Sequence, residues 1–138
     1  NFPRGKIFLG DGGAYFLGFL AGFLLIALTQ NKSNGISAWF GLSLMIYPVW
    51  EVLFSIFRKK VKRGLSPMEP DGVHFHMLIY KRFVKSNAKT SVWILALYMP
   101  FVILSVVFAH QSVVLIALSF VFVVLYQVFY RRLVAFRF

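Results

Sequence analysis

The sequence predicts an all-α, polytopic integral membrane protein, and three observations carry that prediction. Of its 138 residues, 59% are hydrophobic and 19% aromatic, above the roughly 45–50% apolar content of a soluble domain. The apolar residues gather into about four blocks, near 14–29, 36–57, 92–109 and 113–130, each close to the ~20 residues that cross a bilayer as a helix. The basic residues fall between the blocks and almost all on one side of them.

Residues 1–13 form a polar, glycine-rich loop with Arg4 and Lys6. Within it Asp11 stands between Gly10 and Gly12, just before the first apolar block, and is one of only four acidic residues in the chain. A carboxylate at the mouth of a bilayer is costly unless something uses or neutralises it. Two readings stay open: a divalent-cation ligand at the membrane surface, or a helix N-cap. The first block carries Ala14, Gly18 and Gly22 at spacing four, a small-residue face that lets another helix approach closely. No charged segment with a cleavage site precedes it, so no signal peptide is expected. The chain begins at Asn1 and reads as a fragment or a processed piece.

Residues 30–35 read as a turn, with Asn31, Ser33, Asn34 and Gly35 as breakers. The second block contains Pro48, expected to kink it, and Glu51, seven residues before Arg58 on roughly the same helical face. Glu51 is expected to pair with a basic group near the membrane surface. Residues 58–91 are the substantial polar segment: a basic start (Arg58, Lys59, Lys60, Lys62, Arg63), a turn-rich stretch with Pro67 and Pro70, then Asp71, His74 and His76. A short interfacial helix is predicted from about 74 to 85. The third block has Pro100 at its middle, where a kink or local unwinding is expected. His110-Gln111-Ser112 makes a tight turn into the fourth block, and Arg131, Arg132 and Arg137 close the chain.

Four spans alternate sides. Both ends and the 58–91 loop then share one face, and Lys32 alone, of fifteen lysines and arginines, falls on the other. The positive-inside rule places the loops and both ends in the cytoplasm. It also puts Asp11 and the 66–82 segment on one face. The net charge of +11 is thus explained by membrane topology, and no nucleic-acid partner is expected. There is no cysteine, which excludes a disulfide framework and thiol chemistry.

Histidines at spacing two lie about 200° apart on a helix, so His74 and His76 are not a helical zinc pair, and zinc would need three or four suitable ligands. Solvated loop histidines are one reading. Phosphate recognition is the other, since imidazole can donate to phosphate oxygens and Lys81 and Arg82 add positive charge. Asp11 suits magnesium, which takes one or two carboxylates together with substrate phosphates and water. Phe8 reads as an interface anchor or as a ring that stacks on a nucleobase.

Two stretches carry a family resemblance. Asn1-Phe2-Pro3 with Lys6-Ile7-Phe8-Leu9-Gly10-Asp11-Gly12-Gly13 resembles the N-x-P-x-x-K-I/V-F-M/L-G-D-x-G-S loop of the polyprenyl-phosphate N-acetylhexosamine-1-phosphate transferases, also called glycosyltransferase family 4. Ser55-Ile56-Phe57-Arg58-Lys59-Lys60, then Gly64, Ser66, Pro67, Pro70, Asp71, His74 and His76, resembles the family's S-I-x-R-R…G-x-S-P…P-D-x-x-H-x-H segment. Glu51, after Tyr47-Pro48, fits as well. Ala14 stands where the family often has Ser, Gly72 where many members have Arg, and Met77 where many have a further histidine. Those enzymes have about ten or eleven membrane helices and an aspartate-rich motif in their N-terminal half, which nothing here matches. The resemblance therefore implies that 1–138 is the C-terminal part of one polytopic catalytic domain, inactive alone.

It further implies transfer of a sugar-1-phosphate from a UDP-amino-sugar to undecaprenyl phosphate at the bacterial inner membrane, for a cell-surface glycan such as O-antigen lipopolysaccharide. Asp11 would bind catalytic Mg2+, with Mn2+ as a substitute. His74 and His76 would contact substrate phosphates and help catalysis. Asn1 and Phe8 would lie near the nucleotide, Asp71 would order the loop, and Lys81 and Arg82 would face phosphate or lipid headgroups. Membrane lipid is an expected partner, and a homodimer is compatible with the reading. The rivals are a non-catalytic scaffold whose basic loop binds anionic lipid and a transporter with broken helices at Pro48 and Pro100.

Overall fold

The structure, a computed structural model, describes residues 3, 7, 9–63, 66 and 72–135, without the side chains of Lys32, Lys62 and Arg63. The described residues are helical, with no strand. Three helices are long and apolar enough to cross a membrane: α1 (Gly10–Gln30), α5 (Asn87–Val107) and α6 (Ser112–Ala135). Between them lie α2 (Trp39–Leu44), α3 (Ile46–Phe57) and α4 (Phe75–Ile79), with π-helical turns at Arg58–Arg63 and Tyr80–Val84. An all-α polytopic membrane protein is what the apolar blocks predicted.

The second block differs from a single span. It divides at Met45 into α2 and α3, and neither piece alone is long enough to cross. Pro48 supplies the reason. It has no amide hydrogen for the Leu44 carbonyl one turn back, and the Tyr98 hydroxyl of α5 donates to that carbonyl instead. The ladder itself carries across the bend through Met45 N to Gly41 O and Val49 N to Met45 O, both 3.1 Å. Pro100, by contrast, lies inside an uninterrupted α5.

The helices pack at two ends. At the far end, Phe40, Ala109 and Leu115 form a small core with Leu25, Ile36 and Leu44 at its edge. Short polar side chains bind helices there: Ser43 and Ser105, both buried, lie 2.6 Å apart, and Ser37 and Ser112 are 2.8 Å apart. Small hydroxyl residues let helices approach and satisfy each other inside an apolar medium. Ser37 N also donates to Ala109 O at 2.9 Å, joining the α1–α2 turn to the α5–α6 turn. At the other end, Ile46, Phe54, Phe75, Leu78, Phe122 and Tyr126 build the main core under α4.

α1 has no buried residue and touches the rest mainly through Leu25 beside Gly41. A Cβ added at Gly18 or Gly22 would meet nothing within 4 Å, so the described residues do not use the small-residue face.

Replacing Tyr98 with Phe should leave the Leu44 carbonyl unsatisfied at a cost of about 1–3 kcal/mol. In a Pro48→Ala background, where residue 48 regains an amide, the cost should shrink, as read by denaturation of the detergent-solubilised full-length protein.

Candidate functional site

Glu51 of α3 organises the main-core end. Its flank on α3 is Tyr47 one turn before and Ser55 one turn after, a polar stripe on an otherwise apolar helix. The carboxylate is largely buried, its side chain 12% exposed. Three donors from two other parts of the chain satisfy it. Oε1 accepts from His74 Nδ1 and from the Phe75 amide, both at 3.0 Å, and Oε2 accepts from the Tyr126 hydroxyl at 2.6 Å. The Phe75 amide is one of the orphan donors that begin α4. No side chain of α4's own N-cap residue, His74, caps it; Glu51 does so from another helix. The basic partner expected for Glu51 is therefore His74, not the Arg58 that shares its helix face.

Arg58 is buried, 5% exposed. Its guanidinium lies 5.6 Å from the ring centres of both Phe54 and Tyr130, and its Nη1 donates to the Tyr130 hydroxyl at 3.1 Å. That hydroxyl donates in turn to the Val73 carbonyl at 3.2 Å. The first cation of the basic run thus holds the segment before His74, and Lys59 beside it is buried too.

His74 is extended (φ −64°, ψ 151°) and precedes α4, while His76 lies in its first turn. The helical separation of about 200° therefore does not apply, and the two rings stack, 5.8 Å between centres and 16° between planes. Partial burial pushes the His76 imidazole below its ordinary 6.5; the Glu51 charge opposes that and the neighbouring His74 adds to it. His76 also lines an open groove of 950 Å³ between α4, its π-helical extension and α5. Lys81, Tyr80, Asn87 and Ser91 give the groove a polar side, and Ile94 and Leu95 an apolar one. Lys81 Nζ donates to the Gly72 carbonyl at 3.1 Å. A Cβ on Gly72 would lie 2.8 Å from that ammonium, so the lysine occupies room that a side chain at 72 would need. Arg82 is half-buried on the same π-helical turn.

Asp11 lies exposed in the first turn of α1, and Leu9 takes the N-cap position. It is therefore not the cap residue, although its charge still favours the helix N-terminus. Gly10, at φ +70°, gives the left-handed step into the helix that a larger residue adopts only with strain. The main contacts of α1 run to α2 and to the short turn that follows α1, so the described contacts do not bring Asp11 to the histidine segment. Among the described residues no three His, Asp or Glu side chains converge as a metal cluster. Asn1, Phe8 and Asp71 lie outside the described residues.

Tyr126 and Tyr130 belong to neither motif. Their signal was the i, i+4 spacing of two tyrosines in an apolar span, since a buried hydroxyl there needs a partner.

Over 78 residues, 56% of its length, the chain is 33% identical to an undecaprenyl-phosphate alpha-N-acetylglucosaminyl 1-phosphate transferase of Salmonella typhi and to one of Escherichia coli strain K12. An enzyme of the same name from Haemophilus influenzae is 31% identical over 85 residues, 62% of this chain. The chain is a relative of these transferases. It matches only 21–24% of their length. The family read from the Asp11 and His74 motifs is the family of these relatives. No family model matches the chain, and no solved structure does.

A histidine whose value falls on folding binds fewer protons in the native state, so its contribution to stability is present above pH 6.5 and is lost as pH falls below it. By nitrogen-15 NMR, His76 should titrate below 6.5, and Glu51→Gln, which removes the opposing charge, should lower it further. A midpoint at or above the ordinary value would contradict the assigned environment.

Proposed function

We propose that the protein containing this chain transfers a sugar-1-phosphate of N-acetylhexosamine type from a UDP-sugar to undecaprenyl phosphate. The observation that carries the reading is the stacked His74–His76 pair held by Glu51 beside Lys81, in a chain related to transferases named for that lipid phosphate. Adjacent imidazoles and an ammonium provide donors and positive charge for phosphate oxygens.

In the proposed reaction an oxygen of the lipid phosphate attacks the phosphorus that bears the sugar. The bond from that phosphorus to the bridging oxygen breaks, and UMP leaves with the electron pair. Such chemistry depends chiefly on positioning and on neutralising charge. His74 and His76 would orient the phosphates, with Lys81 and Arg82 supplying charge at the rim. Asp11 is an exposed oxygen donor, and a single carboxylate completed by substrate phosphates and water fits magnesium. When bound there, magnesium would neutralise the diphosphate. Asn1 and Phe8 would lie toward the nucleotide and Asp71 would order the histidine loop. The lipid phosphate arrives from the membrane and the nucleotide sugar from water, so the site belongs at that interface. With α2 and α3 crossing together as one bent span, the basic residues gather on the side of the site, which favours the cytoplasmic face of a bacterial inner membrane.

In the full-length protein, Asp11→Asn and His74→Ala should each lower transfer of radiolabelled sugar phosphate to undecaprenyl phosphate by on the order of 10²–10³. Unchanged transfer in either variant would remove that residue from the machinery, and unchanged transfer in both would overturn the reading.

A further inference from the structure

We propose that Tyr126 is a positioning residue for this transfer, acting through Glu51 to hold His74 in one orientation and one tautomer. The inference rests on the reaction proposed above. An ionised carboxylate only accepts hydrogen bonds. His74 Nδ1, 3.0 Å from Glu51 Oε1, therefore points a hydrogen at that oxygen, which favours the Nδ1–H form of the ring. The same oxygen takes the Phe75 amide, so one atom fixes both the imidazole and the backbone next to it.

That atom stays in place only if the carboxylate cannot turn. Tyr126 supplies the restraint with a bond of 2.6 Å to Oε2. The tyrosine is itself 4% exposed, so water does not replace its partner. Its ring is wedged between Phe54 at 5.8 Å and Phe75 at 4.9 Å. One turn on, Tyr130 holds the Val73 carbonyl. Residues 73 and 75 on either side of His74 are thus tied to consecutive tyrosines of α6, one directly and one through Glu51. A helix outside both motifs sets the geometry of the histidine segment.

Tyr126→Phe keeps the ring and deletes only the hydroxyl. In the full-length enzyme in nanodiscs, kcat should fall roughly 10–100-fold, as for other groups that orient a reacting residue, with KM for both substrates within about twofold. In a His74→Gln background the same change should cost nothing further, because residues acting as one unit are non-additive. Nitrogen-15 NMR should show the single Nδ1–H form of His74 giving way to a mixture of tautomers. Glu51→Gln, alone and combined with Tyr126→Phe, provides a second pair, in which the double variant should match Glu51→Gln. An unchanged kcat, or equal losses from Tyr126→Phe with and without His74, overturns the proposal. If the wild-type enzyme transfers no sugar phosphate, the functional reading fails instead, and the tautomer signature still decides whether Tyr126 positions His74.

Discussion

A buried carboxylate constrains everything around it. Desolvating an ionised side chain without partners costs several kcal/mol, and hydrogen bonds to charged groups return about 1.5–3 kcal/mol each. Glu51 therefore requires its three donors, and these come from the histidine segment and from α6. Satisfying one atom group fixes the relative placement of α3, α4 and α6. The aromatic core beneath them, from Phe54 through Phe75 to Tyr126 and Tyr130, keeps water out and so makes the network strong in the sense that loss of any one donor strands a charge.

The two ends of the bundle are held by different chemistry. Far from Glu51 the contacts are short hydroxyl pairs, Ser43 with Ser105 and Ser37 with Ser112. These bring helices close without placing charge in an apolar medium. Charge is concentrated at the other end, where Arg58 lies against two rings and His74, His76 and Lys81 gather. A neutral, closely packed end and a charged, aromatic-walled end fit the interfacial phosphate site proposed above.

Much of this was legible in the sequence, within limits that are physical. Hydropathy blocks located α1, α5 and α6, because helices in lipid must satisfy their backbone internally and so appear as long apolar runs. The motifs drew His74, His76, Glu51 and Asp11 together as a set, of which the described contacts join Glu51, His74 and His76. Partners were not legible. Pro48 announces a freed carbonyl at Leu44, but nothing local says that Tyr98, 54 residues beyond Leu44, will answer it. Glu51 announces a need for donors, and the pattern on its own helix pointed to Arg58, whereas its bonds run to residues 23, 24 and 75 positions away. Spacing reports which face a residue occupies; it does not report which distant element covers that face. The start of α1 shows the same limit at short range, since Asp11 lies inside the first turn and Leu9 takes the cap position.

If Glu51 is the clamp that holds the histidine segment, the Phe75 amide hydrogen is trapped against Oε1 and exchanges with solvent only when that clamp opens. Hydrogen–deuterium exchange at Phe75 in the full-length protein, with and without Glu51→Ala, tests this most directly. A slow Phe75 amide that becomes fast in the variant, while the amides of mid-α5 stay protected, is the expected result. A Phe75 amide that exchanges equally slowly without the carboxylate would contradict it.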